Sequence, residues 1–176
     1  MRSREYVRLN GGQALEILEP LTDVYREIYD GESYGDDALF SRAQFKARTS
    51  AQCRGQKFEL VKLLIDGRWA GFSFGLQFPA GAWWANASEP PRSILALSKF
   101  AVIELGIRPA YRGQGLSKRL LANILGGRDE AFATLTSIPG TPAHDMYERW
   151  GWSKVTTVGG EGPKMDALIL PLPFAE

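Results

Sequence analysis

The chain has 176 residues, a formal net charge of +1, 44% apolar residues and 23% charged residues, with a pI near 7.8. That balance predicts one globular domain over residues 1–176 and offers no strongly basic surface for nucleic acid or an anionic membrane. The single cysteine, Cys53, excludes a disulfide framework and a multi-cysteine metal site; no metal is expected, and a reducing, cytoplasmic setting fits best.

The first ten residues, MRSREYVRLN, carry no apolar stretch, so no signal peptide is expected. Tyr6–Leu9 reads as a short strand closed by Asn10-Gly11-Gly12. Leu15, Ile17, Leu18, Leu21, Val24, Tyr25 and Ile28 form a helical apolar stripe. Pro20 interrupts the stripe and places the helix proper near Leu21. A polar loop follows at residues 30–37, then a shorter helix over Ala38–Thr49. Phe58–Ile65 and Trp69–Phe78 read as an antiparallel pair joined at Asp66-Gly67, a strong hairpin signal. The uncharged run from Ala70 to Ser88 holds three glycines and a proline, so it is not expected to span a membrane. Pro79–Ser98 reads as a long connection bearing Trp83 and Trp84; a loop well beyond the usual ~4–6 residues is commonly functional.

Residues 101–125 organise the chain. Ala101–Arg108 suits a largely buried strand, and Pro109 stops it. Arg112-Gly113-Gln114-Gly115 makes a bare turn. Leu116, Leu120, Leu121, Ile124 and Leu125 then share one face of a helix. A helix opening on such a turn aims free N–H groups and its positive dipole end outward, which suits a phosphate or pyrophosphate. Gly126-Gly127 ends the helix. Ala131–Ser137 is a strand candidate; Thr141 and Pro142 start a last helix that runs to Arg149; residues 152–158 and Met165–Leu170 close the chain as strands.

The segment Arg112-Gly113-Gln114-Gly115-Leu116-Ser117, preceded by Arg108-Pro109-Ala110-Tyr111, and the downstream Tyr147-Glu148-Arg149-Trp150-Gly151-Trp152 resemble the two signatures of the GNAT superfamily of acetyl-CoA-dependent N-acetyltransferases. The order of elements agrees along nearly the whole chain. Two positions depart from the pattern: Ser117 stands where the motif has Gly or Ala, and Gly140 stands where many relatives carry Asn.

The resemblance implies an α/β fold: a twisted, mostly antiparallel mixed sheet of six or seven strands with about four helices on both faces. It implies coenzyme A as co-substrate, its pyrophosphate cradled by Arg112, Gly113, Gln114, Gly115, Leu116, Ser117 and Lys118. Backbone groups of Leu105, Gly106 and Ile107 would meet the pantetheine. Tyr147 would protonate or orient the departing thiolate, or else simply pack in the core. Many relatives form dimers, so a homodimer is implied as well.

Glu104 lies mid-strand, and alternation puts Val102, Glu104, Gly106 and Arg108 on one face. A carboxylate there is costly unless solvated, paired or functional. It reads as a general base, as a partner of Arg108, or as a solvent-facing group near a cleft. Glu32, Asp36 and Asp37 read as ligands for a cationic amine or as a solvated loop. Trp83 and Trp84 read as walls of an acceptor pocket or as core. His144, the only histidine, reads as an idle surface residue or as an acid/base group. The expected activity is acetyl transfer from acetyl-CoA to a primary amine, small-molecule or peptide, by direct attack. The alternatives are a non-catalytic acyl-CoA sensor, or an acyltransferase for a longer acyl chain or a non-amine acceptor.

Overall fold

Asn10 ends the first strand and starts the first helix. Its side chain accepts a hydrogen bond from the backbone N–H of Gln13 while the Gln13 side chain accepts from the backbone N–H of Asn10, a reciprocal cap that satisfies two otherwise unpaired donors. In the computed structural model, which describes residues 3–32 and 37–174, the order is β1 (Arg4–Asn10), α1 (Gly11–Glu16), α2 (Leu18–Tyr29), α3 (Arg42–Gln52), β2 (Glu59–Ile65), β3 (Arg68–Phe78), α4 (Arg92–Leu95), β4 (Lys99–Ile107), α5 (Leu116–Leu125), β5 (Phe132–Ser137), α6 (Pro142–Arg149), β6 (Ser153–Val158) and β7 (Met165–Pro171).

The strands form one mostly antiparallel sheet in the order β1-β2-β3-β4-β5-β7-β6. The β2–β3 hairpin turns at Asp66 and Gly67, both at positive φ (49° and 73°), as a two-residue turn matched to sheet twist requires. β4 pairs with β5 in parallel from Lys99↔Phe132 to Ala101↔Thr134, and β5–β7 and β6–β7 are antiparallel. By contact the described residues divide into two compact units: 3–32, 37–76 and 104–124, and 77–103 with 125–174. In the first, Leu21, Tyr25, Phe45, Leu60, Leu63, Phe74 and Leu120 are wholly buried. In the second, Phe100, Ala101, Ala133, Ala167 and Leu168 are.

Three local expectations are corrected. Pro20 does not delay the second helix to Leu21; it sits in the first turn of α2, where a missing N–H leaves no bond unmade. The predicted helix over Ala38–Thr49 is a 3-10 turn at Ala38–Phe40 followed by α3, because Ser41 accepts from the N–H of Gln44 and restarts the helix. The long connection after Pro79 contains α4 and an isolated bridge between Ala87 and Val158. Lys99, wholly buried, donates its ammonium to the carbonyls of Ile94, Leu95 and Leu97, closing the C-terminal end of α4 with a cation.

Two glycines let the backbones near β4 approach closely. A Cβ at Gly106 would lie 2.7 Å from Ile28 Cδ1 of α2, and one at Gly71 would lie 2.5 Å from the carbonyl oxygen of Gly106. The second obstacle is backbone and cannot rotate away. Gly71→Ala is therefore expected to lower stability by about 2–3 kcal/mol through overpacking, read as a reduced urea midpoint at unchanged slope.

Candidate active site

In the first unit the site is built on the C-terminal half of β4. Glu104 and Leu105 are half-buried, and Gly106 and Ile107 are buried. Gly106 faces Ile28, and Glu104, two residues earlier on the same strand face, meets Tyr29 of the same helix. The Tyr29 hydroxyl donates to Glu104 Oε2 at 3.1 Å. Arg48 of α3 brings Nη2 to 3.8 Å from Glu104 Oε1 and donates to the Tyr25 hydroxyl oxygen at 2.8 Å. The guanidinium lies over the rings of Tyr25 and Phe45, 5.7 and 5.6 Å from their centroids, and also donates to the Leu39 carbonyl. Tyr25 stacks on Phe45 at 3.8 Å, and Phe40 packs on Tyr29 at 5.1 Å.

The Glu104 side chain is 12% exposed. Burial pushes its carboxyl up to about pKa 7, against the lowering pull of the Arg48 charge and the Tyr29 and Arg48 hydrogen bonds. The order of these effects decides the chemistry: desolvation outweighs one cation at 3.8 Å. The same burial, with the Glu104 charge nearby, raises the Tyr25 phenol. Arg108, the partner considered for Glu104 from the sequence, instead grips Glu27 through Nε (2.9 Å) and Nη2 (2.6 Å) and donates Nη1 to the Trp69 carbonyl.

The turn after Pro109 is exposed from Arg112 to Gly115. Gly113 and Gly115 hold φ of 75° and 67° with open space where a Cβ would stand. Two left-handed residues this close expose the peptide edge and lead into the free N–H groups of the first turn of α5. Leu116 is buried and anchors the helix, while Ser117 and Lys118 are half-exposed. The Arg112 side chain turns back from this surface: it donates to the carbonyls of Ile28 (2.8 Å) and Ile107 (3.2 Å) and pairs with Glu32 at 3.1 Å. It ties the end of α2 to the end of β4.

In the second unit Tyr147 is buried, its ring edge-on to Trp150 (5.9 Å) and Trp152 (5.8 Å). Thr141 caps α6 by accepting from the His144 N–H. His144 is not the surface residue expected from its position in the first helical turn. It is 6% exposed and its Nε2 lies 3.0 Å from Asp166 Oδ2. The Trp83 indole donates to Thr156 and the Trp84 indole to Thr134; both rings are half-buried. Among the loop carboxylates, Glu32 is committed to Arg112, Asp37 accepts from the Leu39 N–H at 2.8 Å, and Asp36 lies outside the described residues.

A match to the model of the acetyltransferase (GNAT) family covers residues 18–152. The chain belongs to this family. Solved structures with the same GNAT fold include Arabidopsis thaliana NAA60 in complex with a bisubstrate analogue (TM-score 0.67, 16% identity, 97% of this chain and 99% of that one). Others are an acetyltransferase from Thermus thermophilus (0.66, 14%, 97% and 97%) and the PaiA N-acetyltransferase of Thermoplasma acidophilum in complex with coenzyme A (0.62, 16%, 97% and 99%). No curated protein matches the chain significantly. Among the described residues, no helix is long and apolar enough to cross a membrane.

Tyr29 and Arg48 were not singled out from the sequence. Tyr29 has only its place at the end of an apolar stripe, and Arg48 is one of four basic residues from Arg42 to Arg54. The upward shift of Glu104 has a measurable consequence. Below about pH 4.5 the carboxyl is protonated in both folded and unfolded chains; between about 4.5 and 7 only the unfolded chain releases its proton. Stability therefore falls as pH rises through that window, by about 3 kcal/mol in the limit. Glu104→Gln is expected to melt above the wild type at pH 8, with the difference shrinking as the pH approaches 4, by calorimetry across that range.

Proposed function

We propose that this GNAT protein is a single-domain, cytoplasmic enzyme that transfers the acetyl group of acetyl-CoA to a primary amine by direct attack. The observation that carries this reading is Glu104: a carboxyl with a 12% exposed side chain, pushed up to about pKa 7 by desolvation, in the unit that also holds the glycine turn. A base for an ammonium acceptor needs that combination, since its own pKa must lie near the working pH. The exposed turn with its two left-handed glycines fits a pyrophosphate, and the complexes of NAA60 and PaiA support coenzyme A as the ligand.

Acetyl-CoA supplies the activated acyl group as a thioester. Backbone N–H groups from Gln114 to Lys118 would hold the pyrophosphate, and main-chain groups of Leu105, Gly106 and Ile107 would serve the pantetheine arm and the thioester oxygen. Glu104 takes a proton from the acceptor's ammonium. The freed nitrogen would form the new N–C bond as the C–S bond breaks; the Tyr147 hydroxyl would give its proton to the thiolate, and the second proton shed by the acylated nitrogen would restore the phenol. Arg48 and Tyr29 hold the Glu104 carboxylate ready to receive the proton.

Coenzyme A at ~100 times its dissociation constant is expected to stabilise the protein by about 2.7 kcal/mol, seen as a raised melting temperature; no shift at millimolar ligand contradicts the reading. With an amine panel and detection of released thiol, kcat/KM is expected to rise with pH up to about 7, as Glu104 loses its proton. Glu104→Gln is expected to lose that limb and roughly a hundredfold in rate, and Tyr147→Phe roughly tenfold or more. Full turnover in both variants removes the two roles.

A further inference from the structure

Asp166 on β7 is 5% exposed, and the structure gives it two cationic or polar partners from two different elements. Its Oδ1 accepts from Lys154 Nζ of β6 at 2.7 Å, and its Oδ2 lies 3.0 Å from Nε2 of His144 on α6. A buried carboxylate with both oxygens engaged is well held, whereas one that loses a partner is left costly and unpaired. His144 is one helical turn before Tyr147, and α6 is only eight residues long. The helix is thus fixed at its start by the Thr141 cap and the His144–Asp166 bond. At its end the Trp152 N–H donates to the Tyr147 carbonyl, and the two rings meet edge-on.

We propose that His144, held by the Asp166–Lys154 pair, is a positioning residue for the Tyr147 hydroxyl. The inference rests on the thiolate-protonating role assigned to Tyr147 above. A short helix has little length over which to average out an error in its rotation. Release of His144 leaves the Thr141 cap at the start of α6 but removes a buried polar contact that holds the helix against β7. The phenol then samples positions away from the reacting sulfur, and a misplacement on the ångström scale is enough to slow a proton transfer. Among the described residues, the charged groups facing His144 include Asp166 from β7, Asp145 and Glu148 from its own helix, the latter with Oε2 4.0 Å from Nδ1, and Lys154 through Asp166.

Two measurements test this together. The protein labelled with carbon-13 at the ε ring positions of tyrosine gives signals from six tyrosines, and the one missing in Tyr147→Phe belongs to Tyr147. His144→Ala and Asp166→Asn are expected to shift or broaden that signal, and His144→Gln, whose amide can still donate to Asp166, to restore it. In thiol release from acetyl-CoA with the best amine of the panel, His144→Ala is expected to lower kcat roughly tenfold with little change in the KM for acetyl-CoA. The double variant His144→Ala/Tyr147→Phe is expected to be no slower than Tyr147→Phe alone. An unmoved Tyr147 signal, or losses that multiply in the double variant, overturns the positioning role. Unimpaired turnover in Tyr147→Phe with a moved signal instead removes the thiolate role and leaves the clamp standing as a structural link.

Discussion

The burial of one carboxylate constrains the rest of the first unit. Glu104 sits on a strand face covered by α2, where Gly106 allows the Ile28 side chain to come close to the β4 backbone. That close approach removes water from the carboxylate, and lost hydration is the largest influence on its proton affinity. Everything around it then has to satisfy a polar group in a drying environment. Tyr29 supplies a hydroxyl donor, Arg48 a charge at 3.8 Å, and Tyr25, stacked on Phe45, an oxygen that holds the guanidinium. Arg112 extends the same logic: its donors to Ile28 and Ile107 carbonyls bind the end of α2 to the end of β4, directly before the glycine turn.

With Glu104 as the proposed base, this arrangement sets stability against activity. A carboxyl whose pKa is raised by burial weakens the fold once it ionises, and ionised is the state a base needs. Arg48 moderates the penalty without cancelling it, since a full ion pair would hold Glu104 charged and weakly basic. The guanidinium is instead shared among the Leu39 carbonyl, the Tyr25 hydroxyl and Glu104. Strong pairing lies elsewhere: Arg108 donates twice to Glu27 at the same end of β4. The second unit uses a different arrangement, with Asp166 gripped by Lys154 and His144 on opposite oxygens.

Much of the frame was legible in the sequence because its signals are local. Asp66-Gly67 marked a hairpin, Thr141-Pro142 a helix start, and Arg112–Ser117 a strand–turn–helix. The twofold alternation along β4 correctly placed Glu104 and Gly106 together. The same alternation did not disclose Arg108's true partner, because Glu27 comes from a helix far away in sequence. Tyr29, Arg48 and Asp166 escaped notice for the same reason: each meets its partner only through tertiary packing, and no spacing rule encodes that. His144 looked exposed because its neighbours Ala143 and Asp145 carry no apolar pattern; the side chain is buried through β7, whose register is set by β5 and β6. Gly140, standing where many relatives carry Asn, holds φ of 79°, a conformation that Gly and Asn tolerate better than other residues.

Desolvation keeps the largely buried Glu104 carboxyl near neutral pKa. A carbon-13 titration of the glutamate side-chain carboxylates, with Glu104 assigned by its absence in Glu104→Gln, measures that directly. Glu104 is expected to titrate with a midpoint near pH 7, moving higher in Arg48→Met as the opposing charge is removed. A midpoint near the ordinary value of 4.5, unmoved by the loss of Arg48, would contradict it.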